Sequence, residues 1–366
     1  MSQFNFSYIF IKWHHNMDFC DWTILGGGVS GIISICVIWN LYPNTTLRWI
    51  DRDNFKIGDL INYPCVYANT PTHKIKECVH TLYSLLNEEC PRILLNNLDD
   101  VYITLDLFCN ELIAITDIIA TKTNIFMHQD SIHRIAWSPN ATNSKRYTLH
   151  GHNTEYHTHK IVMATGSHHK QLALKTHTIP IVDALNTCTL SHKKLQRYCI
   201  GVFGNSHSGV CILKNLIDLG YTNVVCFYKS AIKIPEYNPD GPELYEEQGL
   251  RGVVLEWAMR NLLPNTTPIT FVNIKSEEYA KYLNIIDFSI YSIGLEPNTL
   301  PDMEYTASPT LGCQNKYPYC VKSGLLADNI YGIGSAFPDY YRYNNNLECK
   351  IGMIAFVERA LEIFSP

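Results

Sequence analysis

Hydrophobic positions in this chain fall into short runs cut by turn-forming residues, the signature of alternating strands and helices. Thr23-Ile24-Leu25 is a strand-like run that meets a glycine cluster. An apolar, helix-like run follows to Leu41, then the turn Tyr42-Pro43-Asn44. A second strand-like run, Leu47-Arg48-Trp49-Ile50, ends in Asp51. The uncharged stretch from Trp22 to Leu41 is long enough to cross a bilayer. Its glycines divide it into a strand and a helix, so it reads as a buried β-α-β unit. Residues 199–229 repeat the arrangement: a strand from Cys199 to Phe203, a turn from Gly204 to Gly209, a helix to about Leu219 stopped by Gly220, and a strand from Asn223 to Tyr228. Between the repeats, residues 124–162 carry short strands at Ile132 to Trp137 and Tyr147 to His150, then the strand Lys160-Ile161-Val162-Met163. Near the C-terminus, Ile351, Ile354, Ala355, Val357 and Leu361 have near-helical spacing, which predicts a helix from about Leu347 to Phe364. The pattern predicts an α/β fold with two Rossmann-like dinucleotide-binding domains.

Composition narrows the function classes. A length of 366 residues suits two domains. With 46% hydrophobic and 12% aromatic residues, the chain forms a sizeable core and is no disordered regulator. A net charge of −5 argues against a nucleic-acid partner. The thirteen cysteines are scattered, with no CxxC, and read as small buried hydrophobes in a reducing, cytoplasmic compartment. The apolar patch Phe4 to Ile11 has no basic region before it, so a signal peptide is not expected, and Met17 is a candidate second start. Sequons at Asn5, Asn44, Asn140 and Asn265 would matter only in a secreted protein. No membrane span is expected.

The chemistry sits in the two glycine motifs. Gly26-Gly27-Gly28-Val29-Ser30-Gly31 fits G-x-G-x-x-G. Gly26 permits the tight turn, Gly28 lets backbone approach a pyrophosphate, and Gly31 lets the helix pack closely on the sheet. The helix start offers free N–H groups to phosphate. Asp51 follows roughly twenty residues later, where a carboxylate accepts bonds from ribose hydroxyls, with Arg52 beside it. The second motif is Gly204-Asn205-Ser206-His207-Ser208-Gly209, with Ser206 in place of the middle glycine. Its following strand ends in Lys229 rather than an acid, which favours NADPH over NADH by attraction to a 2′-phosphate.

Two such folds imply two cofactors, and Met163 is followed by Ala164-Thr165-Gly166. With these features the chain resembles the two-dinucleotide-binding-domain flavoproteins. The resemblance implies that the first motif holds FAD, that Thr165 and Gly166 pass near it, and that the second motif holds NAD(P)H. Ile293-Gly294-Leu295-Glu296-Pro297-Asn298 resembles the exit from the nucleotide domain. Asn329-Ile330-Tyr331-Gly332-Ile333-Gly334 resembles the late FAD segment, with Ser335 where that segment usually has Asp. The implied FAD domain is discontinuous, 1–190 plus 306–366, around an NAD(P)H domain at 191–305. Within the superfamily, Tyr63-Pro64-Cys65-Val66-Tyr67-Ala68-Asn69-Thr70-Pro71 resembles a segment of flavin-containing monooxygenases, and Asn69 matches the asparagine beside their flavin ring. That family's F-x-G-x-x-x-H signature and the Phe-Pro pair after the Asn segment are absent. The implied reaction is hydride transfer from NADPH to FAD, then O2 activation as a flavin hydroperoxide that oxygenates a nucleophilic N or S atom of a small-molecule substrate.

Alternatives stay open on the residues alone. Cys65 is the candidate thiol of a single-cysteine oxidase or peroxidase, and a quinone reductase needs no thiol. A non-catalytic flavin-binding redox sensor is the reading from another class, and a homodimer is compatible with all of these. His150, His152, His157 and His159 read as a polar hairpin surface rather than a metal site. Residues 235–252, rich in Pro, Gly and acid, read either as a functional loop over the nicotinamide or as a plain connector.

Overall fold

The computed structural model describes residues 19–90, 102–138, 146–152, 154–236, 244–245, 248–264, 266–303 and 316–366. Strand β1 (Phe19–Leu25), helix α1 (Val29–Leu41) and strand β2 (Leu47–Asp51) form the first β-α-β unit. β1 runs parallel to β2, with Trp22 opposite Leu47 and Leu25 opposite Ile50. α1 is buried from Gly31 to Ile38 because α2 (Thr72–Leu85), α3 (Leu105–Thr121) and the C-terminal helix pack around it. No helix among the described residues is long and apolar enough to cross a membrane. β3 (Ile125–Gln129) joins β2 in parallel. The chain then turns through β4 (Ile132–Ser138) and β5 (Arg146–Gly151), antiparallel to each other, into β6 (Glu155–Met163). β6 lies parallel to β1 on its other side and ends at the Ala-Thr-Gly turn.

β7 (Ser167–His169) leads out of this sheet into a second one. The second unit runs β8 (His177–Thr178), α4 (Ile181–Leu185), α5 (Thr187–His192), β9 (Ile200–Phe203), α6 (His207–Asp218), β10 (Val224–Tyr228), α7 (Gly252–Asn261), β11 (Ile269–Asn273), α8 (Tyr279–Leu283) and β12 (Phe288–Tyr291). Its strand order is β11-β10-β9-β12-β8, all parallel. β13 (Leu295–Pro297) returns antiparallel to β7, so two short strands carry both crossings between the units. The boundary expected at 190/191 moves toward the N-terminus. His177 and Thr178 belong to the second sheet, and Ile179, Ile181, Ala184, Leu185 and Leu190 pack in its core. The α4–α5 pair is too short to show a periodicity in sequence. Leu300 already packs in the first unit's core, while the boundary expected near 306 lies outside the described residues.

β14 (Leu325–Ala327) and β15 (Ile330–Gly332) extend the first sheet beyond β6, giving the order β14-β15-β6-β1-β2-β3. The first unit is therefore discontinuous in sequence. A hairpin, β16 (Asp339–Tyr343) with β17 (Asn346–Lys350), precedes α9 (Met353–Phe364). The predicted helix start at Leu347 is corrected here. Asn344 and Asn345 take positive φ and turn the hairpin, and Gly352 caps the helix. Ile351 lies outside α9 and is exposed, whereas Phe356, Val357, Ala360 and Phe364 form its buried face. Periodicity carried through Leu347 because a five-residue strand is shorter than the window that reveals it.

The histidines around β4–β6 pair locally: His150 Nδ1 lies 2.9 Å from Glu155, and the His133 and His152 rings stack at 5.8 Å. Among the described residues no group of three His, Cys, Asp or Glu is arranged to hold a metal. His128 is different. It sits on β3 against the Tyr156 ring, 5.2 Å between centroids. Burial, with the nearby Arg48 guanidinium, lowers its pKa from 6.5 to about 4. The folded protein keeps this imidazole neutral, while the unfolded chain protonates it below its ordinary value. The residue therefore supports folding above pH 6.5, and that support is lost as pH falls toward 4. Melting curves between those limits will show a steeper loss of Tm for the parent than for His128→Asn; equal slopes contradict this assignment.

Candidate cofactor and active site

The first glycine turn is fixed by close backbone approaches. Gly26 has φ +116°, and a Cβ there would lie 2.3 Å from the Ala164 carbonyl oxygen. A Cβ on Gly31 would lie 2.0 Å from the Gly26 carbonyl oxygen. These two positions require glycine by packing. Gly28 differs: its φ of −79° suits any residue, and a Cβ would meet nothing nearer than 3.9 Å. Its lack of a side chain keeps space open where α1 begins. The Asp51 carboxylate accepts the Gly27 N–H at 2.8 Å, the Asp53 N–H at 3.0 Å and the Phe55 N–H at 2.8 Å. The sequence assigns Asp51 a ribose contact; the structure adds that it ties the glycine turn to the loop after β2.

The second turn repeats this geometry. Gly204 has φ +103°, and its Cβ would lie 2.1 Å from the Ser292 carbonyl oxygen. A Cβ on Gly209 would lie 2.2 Å from the Gly204 carbonyl oxygen. Ser206 has φ −78° and ψ −173°, against −79° and −176° for Gly28. The serine therefore costs nothing in backbone strain, and its side chain is exposed. Asn205 Nδ2 donates to the Ser230 carbonyl at 2.9 Å, which holds the loop against the end of β10 beside the exposed Lys229. His207 opens α6 and donates from Nε2 to the Tyr67 carbonyl of the first unit at 3.1 Å, since a carbonyl only accepts.

A cleft of about 420 Å³ opens at the first turn. It gathers the predicted residues Gly26, Gly28, Val29, Ser30, Asp51, Arg52, Thr165, Gly166 and Ser335. Gly31 packs behind it. Gly334 stands beside it with φ +91°, where a Cβ would strike Ser30 Oγ at 2.1 Å. The hydroxyls of Thr165 and Ser167, both lining the cleft, are buried with no partner among the described residues. Sequence reasoning missed Gly58, Tyr63, Asp130, His169 and Asn298, which also line it. Tyr63 OH lies 3.1 Å from His169 Nε2. Burial, with Asp59 nearby, raises the Tyr63 phenol to about 12, and burial lowers His169, so both are neutral near pH 7.

A second cavity of about 550 Å³ lies where the two units meet. Asn69, Thr70 and Pro71 form one wall and the first turn of α9, from Gly352 to Ala355, another. Arg251 reaches it from the second unit and Tyr341 from the hairpin. Asn69 Oδ1 is buried and has no partner among the described residues. Cys65 is exposed and lines neither cavity. Tyr341's cross-strand partner also meets the second unit: Glu348, 1% exposed, accepts the Tyr341 hydroxyl at 2.6 Å and the Tyr245 N–H at 2.8 Å.

No protein-family model matches the chain. A monooxygenase of Paecilomyces divaricatus is 25% identical over 181 residues, which is 43% of this chain and 45% of that protein. The match thus spans less than half of the relative. Among solved structures, ornithine N-hydroxylase of Kutzneria sp. 744, with reduced FAD, NADP+ and L-ornithine, superposes with a TM-score of 0.62 at 13% identity, covering 95% of this chain and 98% of that one. The chain has the same two-domain, Rossmann-like fold. A flavin monooxygenase of Stenotrophomonas maltophilia (TM-score 0.59, 12% identity, 94% and 97% covered) has it too. So does bacillithiol disulfide reductase of Staphylococcus aureus (TM-score 0.57, 13% identity, 95% and 97% covered). The fold is thus common to oxygenating and thiol-exchanging proteins, and chemistry must be argued from the site.

The glycine geometry separates packing from ligand space. Gly31→Ala will lower the unfolding free energy of cofactor-free protein by about 1–3 kcal/mol, the usual cost of overpacking. Gly28→Ala will leave it within about 0.5 kcal/mol. Urea unfolding measures both, and equal losses contradict the distinction.

Proposed function

We propose that the protein is an FAD- and NADPH-dependent oxidoreductase of the flavin monooxygenase type, oxygenating a nucleophilic N or S atom of a small molecule. The observation that carries this reading is the repeated glycine-turn geometry combined with the unpartnered Asn69 amide oxygen at the junction of the units. One turn opens on a cleft; the other has its helix start beside the segment that leads to Asn69.

The residues of the cleft fit FAD. The N-terminal end of α1 suits a pyrophosphate, and Gly28 leaves space beside it. Asp51 and Arg52 lie where the adenosine ribose would be held, and the unpaired Thr165 and Ser167 hydroxyls await a polar partner. Gly334 and Ser335 close the cleft from the last strands. The second turn, Gly204 to Gly209, suits the pyrophosphate of NADPH, and Lys229 stands where a 2′-phosphate would meet it. When bound, FAD supplies hydride acceptance from NADPH and electron delivery to O2. The protein's part is to orient the partners and exclude water. Asn69 donates and accepts hydrogen bonds without adding charge, which suits a group placed beside a reacting flavin ring. Arg251 and the α9 turn complete a cavity large enough for a small substrate.

Among the described residues no cysteine lines either cavity, and Cys65 is exposed.

Asn69→Ala will keep NADPH-driven flavin reduction near the parent rate but divert O2 consumption from product to released peroxide. Parallel loss of reduction and oxygenation contradicts its role; unchanged coupling does so as well. Lys229→Ala will weaken NADPH use relative to NADH, by roughly three- to thirtyfold if one charge-assisted phosphate contact is lost. An unchanged NADPH/NADH ratio of kcat/KM removes Lys229 from the cofactor site.

A further inference from the structure

The Tyr63–His169 pair has no assigned role, and its placement gives it one. Tyr63 comes from the loop after β2 and packs against the core of the second unit. His169 ends β7, one of the two strands that cross between the units. Their side chains meet at 3.1 Å and both line the FAD cleft. Asp51 and Asp130 mark one end of that cleft, at the C-terminal ends of β2 and β3. Tyr63 and His169 mark the end at the domain junction. The same segment continues six residues to Asn69 in the second cavity, so it borders both spaces.

Hydride transfer requires the flavin ring and the nicotinamide to meet. The nicotinamide would be held by the second unit, so the ring belongs at the junction end of the cleft. The pair has a chemical property suited to that end. If Tyr63 donates to Nε2, His169 carries its proton on Nδ1 and the phenol oxygen keeps a lone pair. If Nε2 carries the proton and donates to the phenol oxygen, Tyr63 keeps its O–H and Nδ1 becomes the acceptor. Either arrangement presents one donor and one acceptor outward. A flavin ring edge also changes character, since a ring nitrogen that accepts when oxidised becomes an N–H when reduced.

We propose that Tyr63 and His169 act as one unit that recognises the heteroatom edge of the flavin ring, exchanging donor and acceptor roles as the ring is reduced: the Nδ1 proton leaves to solvent, the phenol proton passes to Nε2, and solvent returns a proton to the phenol oxygen. The proposal rests on the reading of this cleft as the FAD site. They are positioning residues, acting on how the ring is held.

The test uses the full chain loaded with FAD and compares the parent with Tyr63→Phe, His169→Phe and the double variant. FAD affinity is measured by fluorescence titration, the visible flavin spectrum is recorded, and thermal stability is followed in parallel. Each single variant will weaken FAD binding by roughly three- to tenfold, the size of one neutral hydrogen bond, and will shift the visible bands. The double variant will be no worse than about one single variant, as expected of a coupled pair. His169→Gln, which keeps a donor and an acceptor, will restore most of the affinity and covers the case in which His169→Phe does not fold. Unchanged affinity and spectrum with lowered Tm would make the pair a domain clamp only and overturn the proposal. Fully additive losses overturn the coupling. A parent chain that binds no FAD overturns the cofactor reading itself, and this inference with it.

Discussion

Both halves of this molecule depend on one steric constraint: a helix pressed so closely on the turn before it that no side chain fits between. Gly31 faces the Gly26 carbonyl, and Gly209 faces the Gly204 carbonyl, each with room for hydrogen alone. The first residue of each turn is also pinned, against the carbonyl of Ala164 in one unit and of Ser292 in the other. These carbonyls belong to the chain just past β6 and β12, so each turn is locked to the neighbouring parallel strand. The lock aims the start of α1 and of α6 beyond the ends of their sheets. Everything proposed about cofactors follows from where those two helix starts point.

The constraint also explains what could be read in the sequence. Glycines forced by contacts across five residues leave a local pattern, and the strands on either side are buried runs of apolar residues. Both units, the Asp51 position and the Ala-Thr-Gly turn were legible for that reason. Tyr63, His169, Asp130 and Asn298 were not, because topology brings them to the cleft from four separate places in the chain. No spacing rule links them. The expected helix start at Leu347 falls inside β17, because that strand is short and the turn before it depends on Asn344 and Asn345 at positive φ. The start of the second unit was placed too late because β8 has two residues and no pattern of its own.

The junction between the units is where structure and chemistry converge. One segment, Tyr63 to Asn69, touches nearly everything there. Tyr63 meets His169 on the crossing strand, Tyr63 and Val66 pack on the second unit's core, and Tyr67 receives the His207 imidazole. Ala68 donates to Ile103, which anchors the segment just before α3. The hairpin also reaches the second unit, through Glu348 and Tyr245. A junction tied at several separated points favours a defined approach of two bound cofactors over free rotation of the units. Cys65 lies on this segment, is exposed, and lines neither cavity.

The central claim is that the two turns hold two cofactors that meet at this junction. The most direct measurement is the visible spectrum of the purified, FAD-loaded protein when NADPH is added without oxygen. The account predicts a yellow protein whose flavin band bleaches in proportion to NADPH and returns when air is admitted. A protein that takes up no flavin, or a bound flavin that stays oxidised in excess NADPH, would contradict it.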